Sequence, residues 1–203
     1  LIETIASSKR FLNYFDMPVQ HISERMLKLM KRGAGKEKTV KLLEMMRAVP
    51  NSFVRTSVIV GHPGESDEDF GEMLAFIDGF DFDAVTVFEY SDEEGTGAYE
   101  MADKVDKKTV SKRLTAIKKA VAKKTAKKAK AAIGSSFEAV FEGVSDEHEY
   151  LFKAKKKIWA PEIDGEILVN ESEVENPVVG RLYKMTATDA AKDKVIARID
   201  GVA

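Results

Sequence analysis

Phe53-Val-Arg-Thr-Ser-Val-Ile-Val-Gly-His-Pro-Gly-Glu-Ser-Asp-Glu-Asp-Phe70 decides the fold. Its first eight residues, through Val60, are rich in β-branched side chains, which suit a pleated surface, so they read as a strand. Gly61-His62-Pro63-Gly64 must be a turn. Ser66 with Asp69 three residues later is a capping-box-like helix start. Phe70, Met73, Leu74 and Ile77 then recur at the spacing of one helix face, and Gly79 stands where a C-terminal cap belongs. A strand that hands over through a short turn to an amphipathic helix is one βα unit.

The same alternation extends in both directions. Upstream, Tyr14 to Met17 ends a short apolar run and Pro18-Val19-Gln20-His21 is a turn. Ser23 caps a helix carrying Met26, Leu27 and Met30, which Gly33 and Gly35 stop. A second helix carries Val40, Leu43, Met45 and Met46 and ends at Pro50. Downstream, Ala84 to Tyr90 is a further strand, followed by an acidic turn ending in Gly95 and Gly97. Strands separated by full-length helices give a parallel sheet and an α/β class. Three such strands cannot close a barrel, so further strands are expected upstream. A first residue that is Leu1 rather than methionine fits a longer chain.

Residues 107–131 read as one long helix with Val110, Leu114, Ile117 and Val121 on a single face. Beyond Gly134 the period becomes two: Phe137, Ala139 and Phe141 alternate with Glu138 and Glu142. Strand-like runs recur at Leu151 to Ala154, Ile167 to Val169, Val178 to Thr186 and Val195 to Ile199, with Asp164-Gly165 and Asn176-Pro177 between them. Five short strands of this kind suit a small OB-like β-barrel. The expected domains are 1–106, a connecting basic helix over 107–133, and 134–203.

The net charge of −2 conceals a partition. Residues 107–130 hold 11 Lys or Arg and no acid, whereas residues 1–106 carry 12 basic and 20 acidic side chains and residues 134–203 carry 9 and 14. With no cysteine in the chain, disulfides and thiolate metal sites are excluded. No run approaches the roughly 18 apolar residues of a membrane span, and no charged-then-apolar signal opens the chain, so a cytoplasmic location is expected.

In a βα barrel the site lies at the C-terminal ends of the strands. Pro18 to His21, Gly61 to Glu65 and Tyr90 to Gly95 occupy that place, and the Gly61–Glu65 turn precedes a helix N-terminus, which favours an anion. Arg55, embedded in an apolar strand, requires a carboxylate partner from the protein or a ligand. His21, His62 and His148 show no metal-ligand spacing.

Read together, Tyr14-Phe-Asp-Met-Pro-Val-Gln-His21, Arg55-Thr-Ser-Val-Ile-Val-Gly-His-Pro-Gly-Glu65 and Tyr90-Ser-Asp-Glu-Glu-Gly-Thr96 resemble, in order and spacing, the radical-SAM methylthiotransferases. Trp159-Ala-Pro-Glu-Ile-Asp-Gly165 resembles the motif of that family's TRAM domain. The departures are His62, where phenylalanine is usual, and the Lys/Ala-rich helix. The resemblance implies the C-terminal part of a radical-SAM, TIM-like βα barrel followed by a TRAM β-barrel. It implies S-adenosylmethionine and two [4Fe–4S] clusters in the parent enzyme, one cleaving S-adenosylmethionine to a 5′-deoxyadenosyl radical and one supplying sulfur. The net reaction replaces C–H with C–S–CH₃. Without cysteine this segment ligates neither cluster and is expected to be inactive alone. Gln20, Arg55, Gly61, Gly64, Glu65 and Tyr90 are its implied wall for S-adenosylmethionine, with Arg55 matched to the methionyl carboxylate.

One branch of the family modifies adenosine in tRNA, and another an aspartate β-carbon in small-subunit ribosomal protein twelve. A net charge of −5 over residues 134–203 suits a strongly basic protein better than a polyphosphate. The ribosomal-protein branch is therefore expected, with Trp159, Glu162 and Asp164 as substrate contacts. RNA, through the TRAM domain and the basic helix, is the alternative partner. A non-enzymatic OB-like binding module is the other rival.

Overall fold

The computed structural model describes residues 1–146 and 149–203, so His148 lies outside the described residues. The chain divides into two compact units, Leu1–Val121 and Ala122–Ala203.

In the first unit, β1 (Tyr14–Asp16), β2 (Phe53–Val60) and β3 (Ala84–Glu89) form a parallel sheet in that order. Its helices are α1 (Ile2–Ser7), α2 (Glu24–Leu29), α3 (Gly35–Arg47), α4 (Asp67–Gly79) and the first part of α5 (Lys107–Ala131). Alternate residues of a strand point to opposite faces. Val54, Val58 and Val60 of β2, with Val85 and Val87 of β3, accordingly share one core with Leu43 of α3, Met73 and Ile77 of α4 and Ile117 of α5. The other face carries Tyr14 stacked on Phe53 with ring centroids 5.1 Å apart, and beyond them, toward the C-terminal ends of the strands, Asp16, Arg55 and Thr86.

The capping box at Ser66 is complete: Ser66 Oγ accepts from the Asp69 backbone at 3.2 Å while the Asp69 carboxylate accepts from the Ser66 backbone at 3.0 Å. Such a cap contributes about 1 kcal/mol.

Two glycines act differently from their sequence reading. The helix α2 ends at Leu29, before Gly33, and Gly35 opens α3 instead of closing its predecessor. Its φ of +68° turns the chain so that the Lys36 N–H meets Glu24 Oε2 at 2.7 Å. Gly79 is the last helical residue of α4, and the cap falls on Phe80 in extended conformation. There the Phe80 ring packs on Phe82 and Phe76, with centroids 4.4 and 5.8 Å away. The short helix α1 was not legible in the sequence.

The second unit holds the rest of α5 and β4 (Ser136–Val144), β5 (Phe152–Lys156), β6 (Ile167–Ser172), β7 (Leu182–Ala191) and β8 (Lys194–Val202). These close into a barrel in the order β4-β5-β6-β8-β7, antiparallel except for β6 with β8. Closure leaves no unpaired edge. Phe141, Ile167, Val169, Tyr183, Met185 and Ile199 fill the interior. The run expected as a strand from Val178 begins only at Leu182. Val178 to Arg181 form a turn around Gly180 at φ +83°, closed by the Arg181 N–H on the Val178 carbonyl at 3.2 Å. The Val178 N–H donates to Tyr183 Oη at 2.8 Å. Here a β-branched pair belongs to a turn because the backbone bonds at Tyr183 and Arg181 outweigh its propensity.

Among the described residues no helix is long and apolar enough to cross a membrane.

Candidate functional site at the strand ends

The three segments that follow β1, β2 and β3 meet at the C-terminal end of the sheet. After β1, Gln20 adds a parallel bridge to Val58: its N–H donates to the Ser57 carbonyl at 2.9 Å and its carbonyl accepts from Ile59 at 2.8 Å. Gln20 does this at φ +66°, a conformation that a non-glycine residue holds only when its surroundings enforce it. Its Oε1 is buried without a hydrogen-bond partner among the described residues. Next to it, His21 is fully buried. His21 Nδ1 accepts from the Ser23 N–H at 3.0 Å, which assigns the ring proton to Nε2, 3.3 Å from Glu65 Oε1.

After β2 comes the turn Gly61 to Glu65. The Glu65 carboxylate is buried, and Oε2 accepts from the Gly61 N–H and from Arg113 Nη1, both at 2.8 Å. Arg113 Nη1 also donates to the Glu65 carbonyl at 3.0 Å, and Nη2 to Asp67 at 2.7 Å. Glu65 thus ties the end of β2 to the His21 loop and to α5. The same corner contains Asp69, which accepts from Ser23 Oγ at 2.5 Å and pairs with Arg25. Burial pushes the Asp69 carboxyl up, but the bonds from Arg25, Ser23 and Ser66 outweigh it and hold it well below the usual carboxylate range.

After β3, the Tyr90 N–H donates to the Val60 carbonyl at 2.9 Å and its ring meets His62 edge-on at 5.1 Å. The Tyr90 hydroxyl donates to Asp92 at 3.0 Å, and Lys104 Nζ reaches the same carboxylate at 2.5 Å. Burial, then that bond to Asp92, raises the phenol above its ordinary value.

The structure therefore gathers Gln20, Gly61, Gly64, Glu65 and Tyr90 at one end of the sheet. Arg55 stands six residues before Gly61, about 20 Å lower at ~3.3 Å per strand residue. The partner its burial required comes from the protein: Nε lies 3.5 Å from Asp16 Oδ2, and Nη2 donates to Thr86 Oγ1 at 2.7 Å. Sequence reasoning missed Arg113, Asp67 and the Ser23–Asp69–Arg25 cluster. One signal for Arg113 was available, since it is the single arginine among ten lysines over residues 107–130.

In the second unit, Trp159, Glu162 and Asp164 lie on the connection from β5 to β6. Trp159 is half-buried against the barrel core, with Lys156 Nζ 5.7 Å from its ring centroid. Asp164 Oδ2 accepts from the Ala160 N–H at 2.8 Å and so shapes the turn. Glu162 is exposed, at φ +65°.

Comparison with known proteins agrees with both units. Residues 1–77 match the Radical SAM superfamily and residues 133–199 the TRAM domain. The chain is 49% identical over 199 residues to the ribosomal protein uS12 methylthiotransferase RimO of a Nitratiruptor species, covering 98% of this chain and 46% of that protein. To RimO of Sulfurimonas denitrificans it is 50% identical over 190 residues, covering 93% and 43%. The chain thus spans less than half the length of these curated relatives. Among solved structures, coproporphyrinogen III oxidase (HemN) from Escherichia coli, a radical SAM enzyme, is similar in fold, with a TM-score of 0.50 and 20% identity over 56% of this chain and 27% of that one.

Proposed function

We propose that the protein containing this chain transfers a methylthio group to the β-carbon of an aspartate in ribosomal protein uS12, using S-adenosylmethionine. The observation that carries this reading is the 49% identity to RimO, which runs through both units rather than through the sheet alone. The chain's own contribution is binding and positioning. It has no cysteine, so it offers no thiolate to either of the two [4Fe–4S] clusters the reading requires.

S-adenosylmethionine supplies the methyl group and, once reduced, the hydrogen-abstracting species. The orphaned Gln20 Oε1 fits it: an amide oxygen needs a donor, and the cofactor's amino and hydroxyl groups are donors. Gln20, Gly64 and Tyr90 form its wall at the strand ends, and Gly61 and Glu65 hold the turn that backs it. Arg55 lies deeper on the open face, where its half-exposed partner Asp16 is a weak competitor for a cofactor carboxylate. Arg55→Ala is expected to weaken S-adenosylmethionine binding by about 1.5–3 kcal/mol in the intact enzyme, measured by calorimetry. Unchanged affinity with a lowered melting temperature would assign Arg55 to the sheet alone.

The acidic barrel faces the substrate. Trp159 and Glu162 are the contacts proposed for the basic protein, and Asp164 supports the turn that presents them. Incubating the reduced enzyme with uS12 and with tRNA, followed by mass spectrometry of both, is expected to place the methylthio group on the protein. Charge reversal at Glu162 should lower kcat/KM for uS12 without altering uncoupled cofactor cleavage. Label on tRNA adenosine instead would transfer the reading to the tRNA-modifying branch.

A further inference from the structure

Six of the ten lysines of α5 lie on one stripe. At 100° per residue, Lys108, Lys112, Lys119, Lys123, Lys127 and Lys130 fall within a sector of about 100°. All six are exposed. The apolar residues lie across the helix, with Val110 and Ile117 buried in the first unit and Ala129 in the second. Arg113 points inward to Glu65. A helix face that is merely solvated interleaves both signs, because like charges one turn apart repel and Glu–Lys pairs attract. Here no acid occurs from Lys107 to Ala131, although acids outnumber bases on both sides. Among the described residues, none of the ammonium groups of Lys112, Lys119, Lys123 and Lys127 enters an ion pair. Among the described residues these four lysines form an array of one sign without an ion-paired counter-charge.

We propose that this stripe docks on the phosphate backbone of structured RNA, at a place separate from the residue that is modified. Three features select that partner. Lysine is depleted at protein–protein interfaces and the stripe has no tryptophan, tyrosine or arginine to anchor one. A membrane surface takes a helix through a free apolar face, and the apolar face of α5 is already buried. Repeated phosphates, by contrast, need only repeated cations at helical spacing, and each contact releases counterions. The acidic surroundings repel a polyanion elsewhere, so the stripe also fixes where the RNA lies.

The test uses the intact protein, a labelled short RNA duplex, vesicles of phosphatidylcholine with phosphatidylserine, and polyglutamate, each titrated over a range of salt. The duplex is expected to bind best, with log affinity falling against log salt by about 0.9 per phosphate neutralised. Changing Lys112, Lys119, Lys123 and Lys127 together to Gln should reduce that slope by roughly 3–4 and weaken binding at least about tenfold. The matching Lys→Arg set should retain it, and circular dichroism should show both sets folded. Modification of the isolated protein substrate, measured in parallel, should be unchanged by either set, so the RNA contact and the transfer reaction succeed or fail on separate readouts. Equal binding of the duplex by the Gln variant, or preference for vesicles or polyglutamate, would overturn the proposal.

Discussion

Replacing Glu65 with Ala is expected to lower the stability of the first unit by about 3–5 kcal/mol, the cost of removing one member of a buried pair. The Glu65 side chain is fully enclosed and that of Arg113 is 7% exposed, so solvent screens neither. Arg113 already carries one unsatisfied donor, Nε, among the described residues. Without Glu65, Nη1 keeps only the residue-65 carbonyl, and Nη2 keeps Asp67, whose side chain is almost wholly exposed. The Gly61 N–H and His21 Nε2 lose their acceptors at the same stroke. Urea unfolding measures the loss. The double variant Glu65→Ala with Arg113→Ala should cost clearly less than the two single changes together, because it leaves no uncompensated charge. A loss below about 1 kcal/mol for Glu65→Ala would mean that water reaches the carboxylate and that the corner is not the pin described above.

This corner shows how far the sequence can be read. The elements with strong local signals were legible: β2 from its β-branched run, α4 from its capping box, α5 from its single apolar stripe. So was the meeting of the Gln20, Gly61 and Tyr90 segments, because parallel βα units place all their strand ends on one side. What each residue does there was not. Glu65 reads as a ligand group at a helix N-terminus, but its partner Arg113 lies 48 residues away. Arg55 reads as a residue in need of a carboxylate, and only the register of β1 on β2 reveals that Asp16 sits opposite it. The β7 boundary failed for a related reason, since the turn that displaces it is closed by the hydroxyl of Tyr183 from inside the barrel. Pairings of this kind depend on tertiary placement, to which periodicity is blind.

Gly61→Ala should cost about 2–5 kcal/mol, and the part due to the clash should be recoverable from outside the turn. Two separate terms contribute. Gly61 sits at φ +86°, where a Cβ costs roughly 1–2 kcal/mol. The added Cβ would also stand 2.7 Å from Val110 Cγ2 and 3.1 Å from Cγ1, inside van der Waals contact, and overpacking of that kind costs about 1–3 kcal/mol. Val110 is buried on α5, a helix held against the same turn by Arg113, so it cannot retreat cheaply. Removing its two methyl carbons with Val110→Ala should relieve the clash but leave the backbone term. In that background Gly61→Ala should therefore cost only about 1–2 kcal/mol. The cycle is measured by chemical denaturation of the four variants, alongside S-adenosylmethionine affinity in the intact enzyme. If Val110→Ala restores stability and affinity is little changed, the glycine serves the approach of α5. If stability is hardly affected by Gly61→Ala while cofactor affinity collapses, a ligand rather than Val110 lies against the turn, and Gly61 joins Gln20 in the wall of the site.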